Sequence, residues 1–258
     1  MAHSTGLTGP GRRSVQASPS PRSTDPNPSH PTHPNRPYVI LSAAMSLDGH
    51  LDDSTSERLI LSNAEDFDRV DALRAASDAI MVGAETIRRD DPRLLVNDVG
   101  RRGERVGRGV GEFPVKVTVT GGGVLDAGAR FFTTGGDKLV YCADGVVAGL
   151  GERLRGAVRT EVVGVGEVVD FAVILGDLWR RGVGRLMVEG GGSLHTRFLV
   201  EDLVDEIHLA IAPFFVGDDL APRFVRGGVF PQSAGRRMEL VETRAIGDLV
   251  FVRYVIRR

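Results

Sequence analysis

From Tyr38 onward the apolar residues fall into short runs, and the spacing between runs switches between continuous and helical. Residues 38–45, YVILSAAM, make a run suited to a strand buried on both faces, and Ser46, Leu47, Asp48 and Gly49 break it. Asn63 is a helix N-cap with Glu65 and Asp66 in the first turn. Phe67, Val70, Leu73 and Arg74 then repeat every three or four residues, which predicts an amphipathic helix ending near Ser77. Residues 79–82 form a second buried strand, and Gly83-Ala84-Glu85-Thr86 turns it into a helix that stops before Pro92. Between residues 97 and 112 glycines alternate with arginines, which predicts a mobile surface loop with solvated side chains. Further strands are expected at Val115–Val119, 139–142 and 158–163, and a helix at 169–181 on the stripe Phe171, Ile174, Leu175, Leu178. Strands separated by helices predict an α/β fold with a mainly parallel central sheet and helices on both faces. At the end, 204–216, 238–243 and 249–256 read as strands with no helix between them, so antiparallel C-terminal strands close the sheet.

Residues 185–199, RLMVEGGGSLHTRFL, concentrate the most information. Leu186, Met187 and Val188 suit a central strand, and Gly190, Gly191 and Gly192 allow a turn with no Cβ atoms in the way. Ser193 then opens a helix whose Leu194, Phe198 and Leu199 pin it to the sheet. Helix-start N–H groups without an internal partner, at the positive end of the dipole, form a site for an anion such as a dinucleotide pyrophosphate. A second triplet, Gly121–Gly123, also follows a strand, but VLDAGARFF after it carries no cap and no helical stripe. Neither triplet has the G-x-G-x-x-G spacing of a Rossmann turn, so another α/β arrangement must hold the cofactor.

Composition adds mainly exclusions. The chain has 258 residues, of which 41% are hydrophobic, and a formal net charge of −2 with both signs interspersed, so nothing points to a nucleic-acid partner. Its one cysteine, Cys142, excludes an intramolecular disulfide framework and a multi-cysteine metal site, and it reads as a small buried hydrophobe at a strand end. There is no apolar run of membrane-spanning length, so a cytoplasmic protein without a membrane partner is expected. Residues 1–37 are rich in proline and serine and poor in apolar side chains, which predicts a disordered extension ahead of a single domain at 38–258. His30 and His33 lie in that extension, and no metal site is expected from them.

Four motifs in order, SLDG, DAIMVGAETIRRDDPRL, LMVEGGGSLHTRFL and VDEIHLAIAPFFVGD, resemble the reductase domain of riboflavin-biosynthesis pyrimidine reductases, a family with the dihydrofolate-reductase-like fold. The resemblance spans 38 to about 218. It implies NADPH as hydride donor, a pyrimidine whose ribosylamino chain is reduced to the ribityl form as the small heterocyclic substrate, and a homodimer. Matched to the family pattern, Gly83, Thr86, Asp90, Thr120, Gly121, Gly190, Gly191, Gly192, Ser193 and Leu194 are the expected cofactor-binding residues. Ser46, Asp48, Asp90, Arg93 and Glu189 are expected around the substrate, with Asp48 and Glu189 as the catalytic candidates.

Hydride transfer needs alignment and exclusion of water more than side-chain chemistry, but a proton must still be supplied. A carboxyl group in a partly apolar pocket has a raised pKa and can supply it, which makes Asp48, Asp90 and Glu189 the candidates. Two departures from the family pattern remove positive charge: Ser42 stands where many bacterial members have lysine, and Asn97 where they have arginine. Arg88, Arg89 or Arg93 would have to compensate if the substrate carries a phosphate. No His-x-Glu or Pro-Cys-x-x-Cys zinc chemistry lies upstream, so a stand-alone reductase or a paralogue with a changed substrate is expected. Two alternatives remain at this point: reduction of dihydrofolate, which needs no phosphate site, and non-catalytic binding of NADPH.

Overall fold

The computed structural model describes residues 35–55 and 57–258. In chain order its strands are β1 (Tyr38–Ser46), β2 (Ala79–Gly83), β3 (Val115–Val119), β4 (Lys138–Cys142), β5 (Thr160–Gly164), β6 (Arg185–Gly190), β7 (Glu206–Ala212), β8 (Glu239–Ile246) and β9 (Leu249–Val255). The helices are α1 (Ala64–Ala75), α2 (Ala84–Asp90), α3 (Val99–Gly107), α4 (Arg130–Thr133), α5 (Val147–Arg153), α6 (Phe171–Arg180) and α7 (Gly192–Val200). All the strands join one sheet in the order β5-β4-β3-β2-β6-β1-β7-β9-β8. Strands β1 to β7 are parallel throughout, and β9 runs antiparallel to both β7 and β8.

Alternation along the central strands explains why helices cover both faces. Val39, Leu41, Met81, Val117, Tyr141, Leu186 and Val188 pack on one side with Phe171, Ile174 and Leu178 of α6 and Phe198 of α7. On the other side Ile80, Val82, Val140 and Cys142 meet Ile87 of α2, Phe131 and Phe132 of α4 and Leu150 of α5, while Ile40 and Met187 meet Leu73 of α1. With every central strand buried on both faces, no polar alternation is available to mark them, which is why they read as short continuous apolar runs.

Three local expectations change. The first concerns α1, where Asn63 caps the helix as expected by accepting from Asp66 N, and Leu73 and Val70 of the expected stripe pack on the sheet, but the stripe does not include Phe67. Phe67 is 52% exposed, whereas Asp66 is fully buried and bonded to Ser62 and Arg69. The second concerns residues 97–112, which form α3 instead of a mobile loop. Asp98 caps α3 through Arg101 N at 2.8 Å. Arg105 is 3% exposed and donates to the carbonyls of Ala75, the last residue of α1, and of Ser77 just beyond it, so it satisfies carbonyls that the helix end leaves unpaired. The third concerns the C-terminal strands: β7 pairs parallel with β1, and antiparallel closure begins only at β9.

The expected extension over 1–37 lies almost entirely outside the described residues. Its last part is structured: Arg36 forms a two-pronged bond with Asp205, at 2.9 and 2.6 Å, and Arg258 reaches the same carboxylate at 2.6 Å. Burial acts to raise the Asp205 pKa, but the bonds from Arg36, Arg258 and the Val39 N–H outweigh it and hold the group below its ordinary value. A carboxyl group with a lowered folded pKa stabilises the protein above the unfolded pKa and loses that contribution as pH falls through the folded value. Stability is therefore expected to fall on acidification below about pH 4, and Asp205→Asn is expected to flatten that dependence and to cost about 3 kcal/mol. Urea unfolding between neutral and acid pH measures both.

Candidate active site

The C-terminal ends of β2, β3 and β6 converge where the chain order reverses across the sheet, which is where open parallel sheets bind ligands. A cleft of about 560 Å³ opens there. One wall is the start of α2 with Gly83, Glu85 and Arg88, another is the turn after β3, and the third is α7 with Ser193, Leu194 and Arg197. Gly83, Thr120, Gly121, Ser193 and Leu194, singled out from separate parts of the sequence, thus border a single cleft. The second glycine triplet belongs to it because Thr120 Oγ1 accepts from Gly123 N at 3.0 Å and closes that turn beside the cleft.

The turn between β6 and α7 is built around backbone. Gly190 has φ +133°, a conformation that side chains other than glycine rarely adopt, and the Gly190–Gly191 peptide is cis. Gly191 is the N-cap, so no side chain covers the first N–H groups of α7. A Cβ on Gly191 would stand 3.5 Å from Thr86 Oγ1, which places the expected Thr86 beside the turn. At Gly192 a Cβ would overlap the Arg223 carbonyl oxygen, so the loop after β7 closes directly over the helix start. His195 anchors that closure from beneath. It is fully buried, burial pushes its pKa down to about 4, and the neutral ring donates through Nδ1 to Phe224 O at 3.2 Å. A helix start that no side chain caps, reached from the cleft at Ser193 and Leu194, and the volume of the cleft fit a dinucleotide diphosphate.

The expected acids separate into different roles. Glu189 sits at an irregularity in β6: Met81 pairs with Val188, but Val82 pairs with Gly190, so Glu189 is passed over by β2. A bulge of this kind re-aims a side chain, and here the carboxylate meets Arg74 of α1 through two bonds of 2.6 Å. Arg74 also donates to Leu95 O at 3.1 Å and so ties α1, β6 and the segment after α2 together. Sequence reasoning used Arg74 only as a helix-face residue. Its distance in sequence from Glu189 leaves no local signal of the pair.

Asp48 departs from the proton-donor expectation. It accepts from Ser46 Oγ at 2.5 Å, Gly217 N at 2.8 Å and Val216 N at 3.1 Å. Led by the Ser46 hydroxyl, these bonds hold its pKa well below the usual carboxylate range, the opposite of what a proton donor requires. Asp48 instead braces the loop after β1 against the loop after β7. Ser46 is fully buried and also accepts from His50 N at 3.0 Å, so its hydroxyl serves the same turn. Asp90, at the end of α2, behaves differently: burial raises its pKa despite the nearby positive charges of Arg58 and Arg89. Arg93 is exposed and tied to the Asn97 side chain at 3.2 Å, while its carbonyl accepts from Thr134. Ser42 is buried in β1 opposite His208, and could not present a long cation from there without rearrangement. Among the described residues no group of three or more histidine, cysteine, aspartate or glutamate side chains could hold a metal ion.

A pyrimidine reductase-like protein from Corynebacterium diphtheriae shares this architecture, with a TM-score of 0.72 at 23% identity over 87% of this chain and 93% of that one. The two chains therefore share one α/β fold built on a mainly parallel sheet. The family model for the RibD C-terminal domain matches residues 37–252, and the chain belongs to that family. A relative from Archaeoglobus fulgidus, 36% identical over 85% of this chain and 99% of its own length, is named 2,5-diamino-6-ribosylamino-4(3H)-pyrimidinone 5′-phosphate reductase. One from Methanothermobacter thermautotrophicus carries the same name at 36% identity, covering 86% of this chain and 99% of its own.

Proposed function

We propose that this chain is an NADPH-dependent reductase of a ribosylaminopyrimidine phosphate in riboflavin biosynthesis. The observation that carries the reading is the cleft itself, which brings Ser193 and Leu194 of α7, whose start no side chain caps, together with the start of α2 and the closed turn after β3. The near full-length matches to reductases of that name support the substrate class over dihydrofolate. Bound in the cleft, NADPH supplies the hydride.

The residues around it do the rest. Gly191, Gly192 and Ser193 hold the diphosphate by backbone N–H groups, and Thr86 and Thr120 border its two sides. Glu189, fixed by Arg74, presents a rigid carboxylate to the substrate at the end of β6. Asp48 holds the loops that shut the pocket from water. The proton falls to Asp90, whose raised pKa suits a donor. Arg58 and Arg89 beside it supply the positive charge that the substrate phosphate needs in place of the Lys and Arg missing at Ser42 and Asn97.

A homodimer accounts for the exposed edge of the sheet. Strand β8 is exposed along nearly its whole length with Leu240 at 50%, and Phe215, Leu220 and Val229 are exposed nearby in sequence order. Sedimentation of the purified chain measures the association. Among the described residues no helix is long and apolar enough to cross a membrane, and we place the enzyme in the cytoplasm.

The test compares NADPH oxidation with the phosphorylated ribosylaminopyrimidine and with dihydrofolate. Turnover of the pyrimidine is expected, and turnover of dihydrofolate alone would contradict the substrate assignment. Binding without turnover of either would support the non-catalytic alternative. In the active enzyme, Asp90→Asn is expected to lower kcat about a hundred-fold. Because a donor must be protonated, the wild-type rate should decline as pH rises through the Asp90 pKa, and the variant should lose that decline.

A further inference from the structure

Two lysines stand side by side at the N-terminal ends of β3 and β4, the opposite end of the sheet from the cleft. Lys116 and Lys138 are partners in register, so their side chains leave the same face of the sheet. Lys116 is fully buried and Lys138 is 4% exposed. An ammonium group is costly to bury without a counter-charge, and two of one sign at paired positions repel each other. Burial first, and the Lys138 charge after it, push the Lys116 pKa down to about 7; burial and then the charge of Arg159 lower that of Lys138.

The two are not equally satisfied. Lys116 donates to Phe131 O, Thr134 O and Thr134 Oγ1 at 3.1, 3.0 and 2.7 Å, which spends its donors on the end of α4. Lys138 donates only to Val158 O, at 3.2 Å, among the described residues. The nearby Asp137 carboxylate is taken by Arg159 Nε at 2.6 Å. Lys138 therefore keeps its charge and two donors without an acceptor, and it lines a cavity of about 380 Å³. Gly135 and Gly136 border the same cavity, and neither N–H donates to a protein acceptor among the described residues. Phe132 of α4 and Ala157, both buried, supply an apolar wall. A buried ammonium with unused donors, backbone N–H groups beside it and an apolar wall are the parts of a site for an organic anion.

We infer that this cavity is a second ligand site, which takes a small organic anion with its carboxylate or phosphate on Lys138 and its apolar body against Phe132 and Ala157. The test is an NMR titration of the ¹⁵N-labelled full chain with benzoate and with phenyl phosphate, and with benzyl alcohol as the neutral control. At least one anion is expected to bind with a Kd of about 1 mM or tighter and to shift the amides of Gly135, Gly136 and Lys138. The tighter of the two shows whether the site reads a carboxylate or a phosphate. Lys138→Met is expected to weaken that anion about ten-fold or more while thermal unfolding shows the variant folded. Saturating NADPH is expected to leave the anion in place. No shift at these amides up to about 10 mM anion would overturn the inference on the wild type alone, whether or not the variant folds. Benzyl alcohol binding as tightly as the anions, undiminished affinity in a folded Lys138→Met, or displacement of the anion by NADPH would overturn it as well.

Discussion

Replacing Arg74 by alanine is expected to lower the free energy of unfolding by about 3 kcal/mol and to abolish measurable reductase activity. The side chains of Arg74 and Glu189 are 19% and 13% exposed, so removing the guanidinium leaves a mostly buried carboxylate without its partner. The loss also frees the Leu95 carbonyl and with it the segment that follows Asp90. Urea unfolding gives the stability and NADPH oxidation the activity. Glu189→Gln, which keeps an acceptor opposite Arg74, is expected to unfold with a smaller loss. The paired change Arg74→Met with Glu189→Leu should recover most of the stability but not the activity, because an apolar pair satisfies burial without presenting a carboxylate. A loss below about 1 kcal/mol for Arg74→Ala would mean that the pair behaves as an exposed one.

Gly192→Ala is expected to be the most damaging single methyl in the molecule, and Gly191→Ala, one residue earlier, to spare the fold. At Gly192 the methyl would overlap the Arg223 carbonyl oxygen. That neighbour is backbone, so the loop after β7 must move. The same loop supplies the N–H groups that hold Asp48 and the Phe224 carbonyl that anchors His195. A cost of about 3 kcal/mol or more is expected, with both walls of the site disturbed together. At Gly191 the methyl stands at an ordinary 3.5 Å from Thr86 Oγ1. Stability should change by less than about 1 kcal/mol while NADPH affinity falls about ten-fold, because the methyl occupies the surface the diphosphate needs. Thermal unfolding and NADPH titration of the two variants separate a cradle from a plain turn. Parallel losses in both measurements for both variants would mean that the glycines serve folding alone.

What the sequence disclosed and what it hid divide along one physical line. Elements and turns specified by neighbours in the chain were legible: the buried runs of β1, β2 and β6, the Asn63 cap, and Gly83, Thr120, Gly121 and Ser193, which border one cleft because each lies at or just beyond the C-terminal end of a parallel strand. Features specified across the fold were not. Arg74 and Glu189 are 115 residues apart, and Asp48 and Gly217 are 169 apart, so no periodicity connects them. The α3 segment reads as a loop because Gly100, Gly103 and Gly107 weaken its helical signal, and Arg105 acts on carbonyls at and just beyond the end of another helix. Asp48 and Asp90 looked alike as acids; only the hydrogen bonds to one and the burial of the other send their pKa values in opposite directions.

The central claim is that NADPH held in the glycine-lined cleft gives its hydride to the sugar-derived carbon of the pyrimidine. A single-turnover reaction with NADPH carrying deuterium at the transferable position of the nicotinamide tests it most directly, with the product examined by mass spectrometry and NMR. The account predicts one deuterium on the former anomeric carbon of a ribityl product. An unlabelled product, or label on the pyrimidine ring with the ribosyl chain intact, would contradict it.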